Sequence, residues 1–203
     1  MNHELPFNSC EDLAQKIREN GKKLLDNKKI VSFLQELGEL YFTGSFSLDL
    51  MTWNDIDMQI ILKEGIDPIP EFCRFAEMLG NDPDLIEFQL INFTGKYKPK
   101  MPRGVYMGIK IDSLDHGGMW KLDLWSLAKA DFNKNRELIE KLAKELTPED
   151  RSLILNLKHE LMKKSGRVPQ MGSHFLYQAV LVEKLKERDL IFDYMVSQGV
   201  VLD

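Results

Sequence analysis

Cysteine is scarce, with only Cys10 and Cys73 in 203 residues. Two thiols at that separation match neither a metal-ligand spacing nor a disulfide framework, so they read as reduced thiols. Long apolar runs are absent too, and no stretch approaches the length of a membrane span. The first dozen residues are polar and acidic and lack the basic start and apolar core of a signal peptide, which sets the expected compartment as cytoplasmic. Positive charge is not in excess: the formal net charge is −5. Phosphate contacts dominate non-specific nucleic-acid affinity, so an acidic balance makes nucleic acid an unlikely partner overall, while a few nucleotide phosphates need only a local site. No internal repeat and no low-complexity tract is visible. What remains is ordinary globular composition, 43% hydrophobic and 29% charged, on a chain long enough for one sizeable core or a small pair.

The periodicities alternate between two kinds. Ser9 and Asp12 have capping spacing before a helix running to about Asp26. Ile30, Phe33, Leu34 and Leu37 recur at helical spacing, with Gly38 as the expected stop. Leu40 to Thr43 reads as a short strand. Asp55 to Leu62 alternates clearly, with Ile56, Met58, Ile60 and Leu62 on one face and Asp55, Asp57 and Gln59 on the other. Pro68 and Pro70 open a helix striped by Phe72, Phe75, Ala76 and Leu79. Strands follow over Leu85–Phe93, Val105–Asp112 and Met119–Trp125, and the pattern turns helical from about Asn133. Thr147, Pro148 and Asp150 start a helix with the stripe Leu153, Ile154, Leu157 and Leu161. Two further helices are expected over Ser173–Lys186 and Asp189–Ser197. The fold class is α/β (α+β): a mixed sheet flanked by helices over residues 1–130, then a helical region over residues 131–203.

The chemistry concentrates between Gly44 and Asp57. A strand ending in Gly44-Ser45 allows close backbone approach and offers a hydroxyl to an anion. The chain returns into a strand on which Asp55 and Asp57 lie on one face with Cα atoms roughly 6.5 Å apart, close enough to converge on one hard cation. Asp123 lies mid-strand in Lys121-Leu122-Asp123-Leu124-Trp125, on the face of Lys121 and Trp125. A carboxylate there is costly unless paired or metal-bound. A second Asp-x-Asp, Asp82-Pro83-Asp84, lacks that context and reads as a turn.

Gly44-Ser45, about ten residues, Asp55-x-Asp57 in a second strand and Asp123 on a third together resemble the signature of the DNA polymerase beta-like nucleotidyltransferase superfamily. The match covers roughly residues 38–126, and the helical remainder is similar in layout to the minimal and antibiotic nucleotidyltransferases. Leu48-Asp49 and Asn54 depart from the family pattern without removing a carboxylate. The resemblance implies transfer of a nucleoside monophosphate from a nucleoside triphosphate, ATP among the possibilities, to an acceptor hydroxyl. It implies magnesium, two ions with nucleotide bound or manganese in its place, held by Asp55, Asp57 and Asp123. Asp123 would also help activate the acceptor, and Gly44 and Ser45 would hold phosphates. An antibiotic, a protein hydroxyl or a nucleic-acid end would all suit that chemistry, and the acidic balance slightly favours a cationic small molecule.

Other readings stay open. The fold could persist as a binding or regulatory protein without turnover, or as a toxin–antitoxin component, or Asp-x-Asp could serve a metal-dependent glycosyltransferase. Lys96, Lys98, Lys100 and Arg103 with Tyr97 read first as a solvated loop and second as a triphosphate or acceptor contact. Lys121 fits an ion pair with Asp123 as well as it fits a phosphate. Arg167 and His174 loosely resemble the Arg/His pair of helical RNA-cleaving domains, against the simpler reading of a packed or surface histidine. Trp53 could flank a base or simply cover its loop.

Overall fold

The computed structural model describes residues 9–95, 101–165, 168–169 and 171–202. Lys96, Tyr97, Lys98, Lys100 and Arg167 lie outside the described residues. The chain opens with helix α1 (Cys10–Asn27), whose Ser9 hydroxyl accepts from the Asp12 amide at 3.1 Å, and α2 (Ile30–Leu37). Strand β1 (Gly38–Thr43), the one-turn helix α3 (Gly44–Ser47) and strand β2 (Asp55–Leu62) follow. Then come α4 (Pro68–Gly80), β3 (Leu85–Asn92), β4 (Gly104–Ser113) and β5 (Gly118–Leu127). The second part is helical: α5 (Lys129–Glu145), α6 (Pro148–Ser165), α7 (Gly172–Tyr177) running into a π-turn at Gln178–Val182, and α8 (Arg188–Ser197).

The strands form one mixed sheet in the order β1-β2-β5-β4-β3. Only β2 and β5 run parallel; the other neighbours are antiparallel. Ile56, Met58, Ile60, Trp120, Leu122, Leu124, Met107 and Ile109 fill one face and join α1, α2 and α4 in the first core. That alternation matches the period-2 reading. The opposite face carries Asp55, Asp57, Gln59, Lys121, Asp123 and Trp125. A second core joins α5, α6, α7, the π-turn and α8 with Ala14, Leu48 and Leu50. The loop after α3 therefore reaches from the sheet into the helical region.

Two local expectations change. Gly44-Ser45 starts a helical turn instead of ending the strand. The helix expected from Ser173 to Lys186 ends at Tyr177 and passes into the π-turn. Gly38 stops α2 as expected, with an extended φ of 178°. Glycine is needed there because a Cβ would meet the Ile61 carbonyl oxygen at 2.0 Å. The turn at Asp82-Pro83-Asp84 is as read, and Lys28 Nζ holds both carboxylates, at 2.6 and 2.7 Å. Among the described residues no helix is long and apolar enough to cross a membrane.

Candidate active site

Register builds the site. Asp57 pairs with Thr43 on β1 and with Asp123 on β5, and Asp123 pairs in turn with Gly108 on β4. Asp55 lies opposite Lys121 in the next row on the same face. Asp123, 66 residues after Asp57, thus meets the Asp55–Asp57 pair because β2 and β5 are parallel neighbours. Gly44 follows Thr43 with φ of +61°, and a Cβ there would stand 2.3 Å from Asp57 Oδ2. The glycine is the space in which the second carboxylate lies.

The carboxylates repel one another in a poorly hydrated floor. Burial, then the charges of Asp55 and Asp123, push Asp57 up to about 7. Burial raises Asp55 as well, against the pull of Lys121. Trp53 Nε1 donates to Asp55 Oδ2 at 3.3 Å. Asp55 Oδ1 is buried with no hydrogen-bond partner; Lys121 Nζ stands 3.6 Å away, an ion-pair distance too long for a hydrogen bond. Asp123 is better satisfied, with Lys121 Nζ on Oδ2 at 2.5 Å and the Tyr106 hydroxyl on Oδ1 at 2.7 Å. Among the described residues no three carboxylate, imidazole or thiol groups already converge as a metal cage. The donor set still fits a hard divalent cation: an orphaned carboxylate oxygen on Asp55, a raised Asp57, and only oxygen ligands in reach.

A cavity of 340 Å³ opens over this floor, lined by Gly44, Ser45, Trp53, Asp55 and Asp57 at one side. Gln59 and Asn135, 3.3 Å apart, line it next, and Leu138, Ile139 and Leu142 of α5 supply an apolar wall. Ser173, His174 and Tyr177 complete it from α7. Its size suits a drug-sized or nucleotide-sized ligand. Asp123 is not part of this lining and lies beyond Asp57, on the far side from α5.

One charged residue had escaped the sequence reading. Lys158 of α6 is wholly buried, and burial lowers its amine to about 7 against the pull of Asp55 and Asp57. Its Nζ donates to the Leu50 carbonyl at 2.6 Å and to the Tyr177 hydroxyl at 3.1 Å, and it lies 4.5 Å from the Trp53 ring centroid. The signal was present: Lys158 falls four residues after Ile154 and three before Leu161, inside the apolar stripe. Trp53 covers this ammonium and binds Asp55, so it does more than close its loop. His174 stands in the cavity wall with its ring pushed toward neutrality by burial.

No family model matches the sequence, and no curated protein matches it. Solved structures do. The Cid1 poly(U) polymerase bound to MgATP aligns at a TM-score of 0.58 and 14% identity, over 84% of this chain and 52% of that one. Cid1 in a structure concerned with its RNA terminal uridylyl transferase activity gives 0.55 and 14%, over 83% and 48%. Cid1 bound to MgGTP gives 0.53 and 15%, over 79% and 45%. The chain spans about half the length of these structures. It has the nucleotidyltransferase fold.

Proposed function

We propose that the protein binds a nucleoside triphosphate with magnesium and transfers its nucleoside monophosphate to an acceptor hydroxyl, releasing pyrophosphate. The observation that carries this reading is the row Thr43–Asp57–Asp123, with Asp55 beside it, set directly against Gly44 at the mouth of a nucleotide-sized cavity. Asp55 and Asp57 would hold the cation, with Asp123 as a third ligand. When bound, magnesium neutralises phosphate charge and stabilises the entering and leaving oxygens.

The chain's own groups supply the rest. Gly44 would leave room for phosphate oxygens beside Asp57, and Ser45, which lines the cavity, would offer its hydroxyl as a donor. The apolar wall of α5 with His174 and Tyr177 takes the base, and the Gln59–Asn135 amides lie within reach of the sugar. Asp123, outside the cavity lining, would accept the proton of an attacking hydroxyl. Lys158 adds positive potential behind Trp53. The fold shared with Cid1, which has been seen with MgATP and MgGTP, supports the choice of nucleotide and metal.

The test is a thermal-shift and calorimetric screen of the four common nucleoside triphosphates, with and without magnesium, on wild type and on Asp55→Asn/Asp57→Asn. Magnesium-dependent stabilisation by at least one triphosphate, lost in the double variant, is the expected result. Equal stabilisation of the variant would remove the carboxylates from the role assigned to them. No stabilisation of wild type by any triphosphate would favour a binding or regulatory protein built on the same fold.

A further inference from the structure

The cavity is lined by residues of β1 and β2 and none of β5, β4 or β3. Helix α5 packs over β1 and β2. Beyond Asp123 the same face continues across β5, β4 and the end of β3. Gly108, the β4 partner of Asp123, has no side chain, and the Tyr106 hydroxyl lies over it, 2.4 Å from where a Cβ would stand. That hydroxyl reaches Asp123, and the Tyr106 ring meets Trp125 with centroids 5.0 Å apart. Trp125 in turn stacks on Phe93 at 5.5 Å and 20°. A continuous aromatic shelf therefore runs from the third carboxylate to the end of the β3–β4 hairpin. Phe93 itself is buried, while Tyr106 and Trp125 are only half-buried, so the accessible part of the shelf is Tyr106 and Trp125.

The strand cations beside the shelf are paired, Lys121 with Asp123 and Lys110 with Glu87. Lys121 borders the shelf at Asp123, and Arg103 is exposed at its far end, its Nε donating to the Thr94 carbonyl at 3.1 Å. A net charge of −5 suits a cationic acceptor on average, but this end of the face offers the exposed Arg103 beside π-surfaces.

The geometry points to this shelf as the acceptor site, holding the terminal nucleobase of a single-stranded nucleic acid whose sugar hydroxyl lies at Asp123. The inference rests on the nucleotidyl-transfer reading. With the leaving pyrophosphate on the Gly44–Ser45 side, in-line attack requires the acceptor to enter from the opposite side, which is the shelf. The hydroxyl oxygen forms the new bond to the α-phosphorus, and the bond from that phosphorus to the bridging oxygen breaks. Pyrophosphate leaves with the electron pair, and the hydroxyl proton passes to the Asp123 carboxylate. Stacking on aromatic rings flanked by cations is how sequence-tolerant single-strand binding is achieved.

The test titrates a 5′-fluorescein-labelled single-stranded RNA hexamer by anisotropy against wild type, Trp125→Leu and Trp125→Phe, with magnesium–triphosphate thermal shifts on the same samples. Wild type is expected to bind the hexamer. Trp125→Leu should weaken it about tenfold or more, and Trp125→Phe should restore most of the loss. The triphosphate shift should stay unchanged in both. A hexamer affinity that ignores Trp125, or no hexamer binding by a wild type that binds triphosphate, overturns the shelf and leaves the catalytic reading standing. Displacement of the hexamer by an aminocyclitol, or by a mononucleotide as effectively as by unlabelled hexamer, also overturns it. Hexamer binding that depends on Trp125 without any triphosphate binding supports the shelf and removes the transferase reading instead. If Trp125→Leu fails to fold, Arg103→Glu decides, with severalfold weaker hexamer binding expected and an unchanged affinity overturning the proposal.

Discussion

A Cβ on Gly44 would stand 2.3 Å from Oδ2 of Asp57, so the phosphate-side glycine and the second carboxylate share one space. The backbone at Gly44 is also left-handed, with φ of +61°. Gly44→Ala therefore carries a conformational cost of roughly 1–2 kcal/mol and displaces Asp57 as well. Denaturant unfolding should show the first effect. A magnesium–triphosphate thermal shift should show the second as near-complete loss, and a variant that retained the full shift would detach Gly44 from the site.

Asp57 is expected to destabilise the metal-free protein at neutral and alkaline pH. Its folded carboxyl titrates near 7 against an ordinary 3.8. A raised acid contributes most stability below the ordinary value and loses it as pH rises through the folded one. Asp57→Asn should thus be more stable than wild type at pH 8 by about 1–2 kcal/mol, with the gap closing toward pH 4. Urea melts across that range measure it, and a constant difference would contradict the burial cause.

Lys158 has the opposite sign. Its folded amine titrates near 7 against an ordinary 10.5. A depressed base contributes stability above its ordinary value and loses it as pH falls through the folded one. Lys158→Met, which roughly keeps the volume, should remove this group's rise in stability between pH 7 and 10. Parallel unfolding curves for the two proteins over that interval would show that the amine does not titrate there.

The two Asp-x-Asp pairs should separate cleanly. Asp82 and Asp84 are both held by Lys28 Nζ and lie in the turn before β3. Asp82→Asn/Asp84→Asn should lower the melting temperature by a few degrees through loss of that clamp while leaving the magnesium–triphosphate shift intact. Asp55→Asn/Asp57→Asn should do the reverse. A loss of nucleotide binding in the first variant would undo the assignment.

Period-2 alternation alone assigned Asp55, Asp57 and Asp123 to a polar face and Ile56, Met58, Trp120, Leu122 and Leu124 to a buried one, because a strand's side chains must point alternately whatever the strand pairs with. Capping and proline signals placed α1, α4 and the start of α6 for a similarly local reason: an amide left unpaired at a helix start takes whichever side chain stands two or three residues away. Long-range placement was not local. That Asp57 and Asp123 share a row follows from the parallel pairing of β2 with β5, which no spacing along the chain specifies. That Lys158 lies buried under Trp53 depends on α6 packing against the loop after α3, across more than a hundred residues. The aromatic shelf likewise exists only because β3, β4 and β5 are neighbours. Side-chain period is a property of the backbone and can be read from the sequence. Which periods meet is decided by the burial of two separate cores, and only the tertiary structure contains that.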